Sequence, residues 1–155
     1  QFMRVDGFEA KLKSDYPDIE YLGAQYSLND VTKSAGFVTA QLASNPDLAG
    51  IFVSNDVNAL GVVTGLQEAG AVGRVKVVAY DAADSEISAL QAGNVQALIA
   101  QDPYGEGEKG VQSAYDVLQG KSVEKVVHMP LTVLLADDSK AIEEYTTRNG
   151  GTGTC

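Results

Sequence analysis

Three short apolar runs each end on side chains able to hydrogen-bond. Leu48 to Val53 (LAGIFV) is followed by Ser54-Asn55-Asp56, Val75 to Tyr80 (VKVVAY) by Asp81, and Val95 to Ala100 (VQALIA) by Gln101-Asp102. Asn and Gln offer donors and acceptors, while an ionised Asp only accepts. Tyr80 adds an aromatic face beside Asp81. Such a set suits a neutral polyhydroxylated ligand, whose hydroxyls need both donors and acceptors and whose C–H faces stack on rings. It suits hydrolysis poorly, because no Ser–His pair stands out and the carboxylates lack an evident partner acid. With one Cys, one His, no CxxC and no HExxH, the sequence assigns no catalytic residue, no metal ligand set and no cofactor.

Several of these residues also have plainer readings. Asp56 is read as the N-cap of the following helix rather than a ligand group. Asn55 fits a turn as well as a site, Gln101 fits a loop, and Tyr80 fits a core position. Asp81 stands about three residues before its helix, so capping explains it less well. His128 reads as structural. Glu143-Glu144 and Asp137-Asp138 read as solvated faces. Gly105-Glu106-Gly107-Glu108-Lys109-Gly110 matches G-x-G-x-x-G, but two Glu inside such a loop would repel a pyrophosphate. A receiver-type phospho-acceptor would need a Lys at a neighbouring strand end, and none is there.

The elements that must carry these strand ends follow from periodicity. Val5, Phe8 and Leu12 predict a helix over 2–15, so the chain is expected to open inside a helix and to be a fragment. Residues 19–25 (IEYLGAQ) are predicted as a strand. Asp30 suits an N-cap, with Val31, Ala35, Val38 and Leu42 on one helical face. The next helix carries Leu60, Val63 and Leu66 and closes at Gly70. Asp84 or Ser85 is expected to cap a short helix ended by Gly93. A helix at about 107–119 ends at Gly120, residues 123–127 and 131–135 are β-like, and Asp137 starts a last polar helix. Alternating strands and helices with short links predict an α/β fold with a doubly wound parallel, flavodoxin-like sheet. Ligands of such sheets bind at the carboxyl ends of the strands.

Composition bounds the rest. The chain has 155 residues, 45% hydrophobic and 21% charged, which is ordinary for one globular domain. Its 21 acidic and 11 basic residues give a net charge of −10, which repels phosphate backbones and anionic lipid and argues against nucleic acid as a partner. The longest apolar runs are a few residues, far short of a membrane span. The start has no signal-peptide pattern. Cys155 decides nothing about redox compartment, and the Gly/Thr-rich end reads as a flexible tail.

The strand ends, in order, also carry a resemblance. Arg4-Val5-Asp6-Gly7-Phe8, Gly50-Ile51-Phe52-Val53-Ser54-Asn55-Asp56 with Ala59-Leu60-Gly61, Val77-Val78-Ala79-Tyr80-Asp81, and Ala97-Leu98-Ile99-Ala100-Gln101 with Pro103 resemble the ribose/galactose-type periplasmic sugar-binding proteins. These are the solute receptors of bacterial ABC importers, with the type I two-lobed fold. The resemblance runs from Arg4 to about Leu135. It implies that Arg4 hydrogen-bonds the sugar ring and hydroxyls, Asn55 is the ligand-binding asparagine of the family's Asn-Asp strand end, Asp81 accepts sugar hydroxyls, Tyr80 takes the place of a stacking aromatic, and Gln101 lies at the lobe-crossing strand. Asn29 stands where ribose-type members carry a stacking Phe, which puts ribose itself in doubt and favours a different pentose or hexose, or another small polyol.

The resemblance further implies a layout. Residues 1–101 would form the second, carboxy-terminal lobe without its first strand. Residues 102–135 would be a crossover segment packing on an absent amino-terminal lobe, and 136–155 a terminal helix and flexible tail. The implied partners are a small sugar, ABC permease subunits and the missing amino-terminal half, or self-association in its place. The implied location is periplasmic or extracellular and lipid-anchored. Two alternatives share the fold: the effector-binding core of a LacI-type repressor, against which Gly93-Asn94-Val95-Gln96-Ala97 speaks, and a small flavodoxin-like enzyme.

Overall fold

The computed structural model describes residues 2–150, so the Gly/Thr-rich tail and Cys155 lie outside the described residues. The elements are α1 (Phe2–Asp15), α2 (Val31–Ser44), β1 (Gly50–Val53), α3 (Asp56–Glu68), β2 (Lys76–Tyr80), α4 (Asp84–Gln91), β3 (Ala97–Ala100), α5 (Pro103–Leu118), β4 (Thr132–Leu135) and α6 (Ser139–Asn149). The sheet runs β1-β2-β3-β4. Its first three strands are parallel, with Val53 level with Ala79 and Ala79 level with Leu98. The fourth is antiparallel, with Leu134 beside Leu98. The wholly parallel sheet predicted from alternation is thus parallel in three strands and closed by an antiparallel edge, because the connection from α5 returns through an irregular segment.

Side chains alternate across the strands. Val53, Val77, Ala79, Leu98, Ala100 and Leu134 face a dry core shared with Leu66 of α3, Leu90 of α4 and Ile142 of α6. The other face carries Phe52, Val78, Tyr80 and Ile99. There α1 lies across β1, with Phe8 stacked on Phe52 at 4.9 Å between ring centroids. α2 packs on α3 at very short range. A Cβ on Gly61 would stand 2.5 Å from the Val31 carbonyl, and one on Gly65 2.7 Å from that of Ala35. These two glycines, four apart on one helical face, let the backbones touch.

Helix boundaries correct several expectations. The N-cap of α3 is Asn55, whose Oδ1 accepts the Asn58 N–H at 3.1 Å; Asp56 is the first helical residue and accepts from Val57. The cap of α4 is Ala83, neither Asp84 nor Ser85, and that of α6 is Asp138 rather than Asp137. α5 begins at Pro103, earlier than predicted. Asp102 caps it through the Gly105 N–H, and Pro103 gives up no intrahelical bond at the first position. The G-x-G-x-x-G stretch is therefore helical and forms no phosphate loop. Gly70, Gly93 and Gly120 close their helices at positive φ, as expected.

Two predicted strands are absent. Residues 20–26 and 121–131 are irregular. Both read as β in sequence, yet a strand exists only where a neighbour's N–H and C=O groups face it. Among the described residues no strand pairs with the outer edge of β1. Ile19, Tyr21, Leu22, Val123, Val126 and Val127 consequently stay exposed. Tyr21 instead packs edge-on against Phe8 and donates its hydroxyl to Glu9.

Candidate functional site

Each parallel strand ends on a polar residue at the same edge of the sheet, and α1 brings a cation to it. β1 delivers Ser54 and Asn55, β2 delivers Tyr80 and Asp81, and β3 delivers Gln101. Arg4 donates from Nη1 to the Ser54 carbonyl at 2.7 Å, and its guanidinium carbon lies 3.5 Å from the centre of the Tyr80 ring. The same Nη1 is 3.9 Å from Asp81 Oδ2, with both side chains about a quarter exposed. Gln101 Nε2 donates to Asp81 Oδ1 at 2.6 Å. The Asp81 backbone sits at φ 86°, a left-handed conformation that costs a non-glycine residue about 1–3 kcal/mol and survives only where surroundings enforce it. Here the enforcement comes from the Gln101 bond and from the Asp81 N–H, which donates to the Ile99 carbonyl at 3.0 Å.

Beside this cluster stands an amide pair. Asn55 Nδ2 donates to Asn29 Oδ1 at 2.8 Å, and Asn29 holds φ 62° in the loop before α2. Asn55 therefore serves two masters, with one amide atom capping α3 and the other facing the exposed Asn29. Of the six residues singled out from sequence, Arg4, Tyr80, Asp81 and Gln101 touch one another, Asn29 and Asn55 touch each other, and Arg4 on the Ser54 carbonyl joins the two groups. His128 is exposed in the irregular segment, away from these contacts.

Sequence reasoning missed the residues beneath. Asn58 Oδ1 accepts from the buried hydroxyls of Ser27 and Ser34, at 2.5 and 3.1 Å, and so seats the Asn29 loop on the first turn of α3. An Asn at the third helical position is the only signal, and it is weak. Glu86 was also missed. It is buried, its Oε2 accepts the Ala83 N–H at 3.0 Å, and no Ser or Thr at the cap advertised the pattern. Burial, reinforced by the charges of Asp81 and Asp56, pushes its carboxyl up to about 7 against the pull of the Ala83 N–H.

The arrangement can bind but has little with which to activate water. It offers a guanidinium, three amides and a carboxylate gathered at one sheet edge, with one aromatic face partly covered by Arg4.

A family model described as periplasmic binding protein domain matches residues 1–122, and the chain belongs to that family. The chain is 32% identical over 131 residues to the ribose import binding protein RbsB of Haemophilus influenzae, covering 84% of this chain and 44% of that protein. It is 29% identical over 146 residues to the fructose import binding protein FruE of Bifidobacterium longum, covering 94% and 44%. Among solved structures it superposes on an ABC transporter solute-binding protein from Agrobacterium vitis bound with α-D-tagatopyranose, at a TM-score of 0.84 and 37% identity over 90% of this chain and 47% of that one. A periplasmic solute-binding protein from Actinobacillus succinogenes with bound D-allose gives 0.80 and 28% over 87% and 48%. The chain thus spans less than half the length of these relatives.

Proposed function

We propose that this chain is the sugar-binding second lobe of an ABC importer's solute receptor, acting by binding and not by catalysis. The observation that carries the reading is the convergence of Arg4, Tyr80, Asp81 and Gln101 at the carboxyl ends of β2 and β3. Tagatose and allose in the similar structures support a small neutral sugar or polyol as the ligand class. The import binding proteins among the relatives favour a receptor over a LacI-type repressor.

In this reading residues 1–101 are the lobe proper, with Asp81 accepting hydroxyls, Arg4 and Gln101 donating, and the Asn29–Asn55 amides offering both. Residues 102–135 cross to an amino-terminal lobe, which explains why Val111, Leu118 and Val126 are left in solvent. The outer edge of β1 awaits a strand from the remainder of the receptor. The receptor works outside the cytoplasmic membrane, in the periplasm or held by a lipid anchor, and hands its sugar to permease subunits.

Closure of two lobes on a ligand removes water from both sides. One lobe leaves half of the ligand wet, where each hydrogen bond nets only about 1 kcal/mol against an association cost of about 4–15 kcal/mol. The isolated chain should bind any sugar more weakly than about 1 mM. Calorimetry of the intact receptor with D-ribose, D-fructose, D-allose and D-tagatose tests the reading. At least one should bind in the micromolar range and lose that affinity on Asp81→Ala. Failure of the whole panel, or micromolar binding by the chain alone, would overturn it.

A further inference from the structure

The turn from β2 into α4 is made by only three residues, and its two ends are held differently. Asp81 is pinned by its own N–H on the Ile99 carbonyl and by Gln101 on its carboxylate. The far end has no capping side chain, since the cap residue is Ala83. Glu86, one turn into the helix, reaches back to the cap residue itself, taking the Ala83 N–H on Oε2 at 3.0 Å. Its residue exposure is 3%, and Oε1 is buried without a hydrogen-bond partner. A groove of mixed lining between α3 and α4, with Ala59, Val63 and Val95 beside Gln67, Ser85 and Asn94, borders it. Packing alone does not require a carboxyl there, because a buried polar atom left unpaired is a cost.

We propose that Glu86 is a positioning residue of the ligand site, holding the Asp81–Ala83 turn through the Ala83 N–H so that Asp81 stays strained and aimed at Gln101 and Arg4. The inference rests on Asp81 being a ligand group. The ionisable groups that face Glu86 are Asp81 at the end of β2, Asp56 in the first turn of α3 and Tyr145 on α6, with Asp84 on its own helix. The facing carboxylates and burial both favour the protonated form. Ionisation strengthens the Ala83 N–H bond and sets a buried negative charge behind the partly exposed Asp81, so the turn differs between the two forms. The Asp81–Gln101 contact therefore shifts as Glu86 changes charge near pH 7.

NMR of the isotope-labelled 155-residue chain from pH 5 to 8.5 tests this without any sugar. The Glu86 carboxyl carbon should titrate near pH 7, and the Asp81 amide and Gln101 side-chain NH2 peaks should move with the same midpoint. Glu86→Gln keeps an acceptor for Ala83 and has no charge to lose, so its Asp81 and Gln101 peaks should hold their low-pH positions throughout. Glu86→Ala should shift both peaks and speed Ala83 amide exchange about tenfold, the loss of one hydrogen bond. Unmoved Asp81 and Gln101 peaks in a folded Glu86→Ala chain overturn the proposal. If that variant does not fold, Glu86→Gln decides: peaks that titrate as in the parent chain overturn it equally. Failure here removes the role of Glu86, whereas failure of the sugar panel in the intact receptor removes the ligand reading on which it rests.

Discussion

Glu86→Gln should gain stability relative to the parent chain between acid and mild alkali. A carboxyl whose folded pKa is raised keeps its proton in the native state where the unfolded chain has released it. Stability therefore falls as pH rises from the unfolded value of 4.5 to the folded value of about 7, and is level above that. Each pH unit in that window costs about 1.4 kcal/mol. Between pH 5 and pH 8 the loss integrates to about 2.5 kcal/mol, or about 5–10 °C in Tm for a chain of this size. Gln does not titrate, and its NH2 stands where the neutral carboxyl already carries an unpartnered O–H on Oε1. The gap between the two should accordingly move by about 2.5 kcal/mol in the variant's favour from pH 5 to pH 8. Guanidinium denaturation of both proteins at pH 5, 6, 7 and 8 measures this, and taking the difference cancels the titration of the other carboxylates. Parallel stability curves, with no change in the gap across that range, would refute the raised pKa and the burial argument behind it.

Other outcomes follow from the same contacts. Gly65→Ala drives a Cβ to 2.9 Å from that of Val38 and 2.7 Å from the Ala35 carbonyl, so overpacking of about 1–3 kcal/mol should lower Tm by several degrees. Gly107→Ala, inside α5 with open space at its Cβ, should instead raise stability by about 0.5–1 kcal/mol, and a matching loss there would discredit the helical assignment of that stretch. In the intact receptor Asp81→Ala should weaken sugar binding at least tenfold, since a hydrogen bond to a charged group contributes about 1.5–3 kcal/mol; calorimetry showing under a threefold change removes Asp81 from the site. Asn55→Ala should cost about 1 kcal/mol through the lost cap together with sugar affinity, whereas Asn55→Asp should keep the cap and lose only affinity. If melting and calorimetry find the two variants alike, Asn55 has one role and not two.

The polar residues at the strand ends were legible in the sequence because an apolar run that stops on Asn, Asp or Gln is a local signal. Periodicity and terminating glycines located the helices for the same reason, since a helix satisfies its own backbone within a few residues. The α/β class follows from the alternation of such units. What lay beyond the sequence depends on distant neighbours. Residues 19–25 and 123–127 have strand chemistry, but a strand is completed by another strand's backbone, and among the described residues no strand pairs with either segment. Asn55 and Asp56 are both good caps by type. The choice fell to Asn55 once β1 ended at Val53 and the backbone turned into the helix with its amide oxygen over the Asn58 N–H. Glu86 had no readable role, because its burial is created by α3 and its charge environment by Asp56 and Asp81, residues thirty and five positions away. The pairing of Arg4 with Tyr80 and Asp81 likewise spans almost eighty residues and exists only because α1 crosses the face of the sheet on Phe52. Local chemistry is written in the order of residues; the meeting of side chains from four elements is decided by packing, which the linear order does not state.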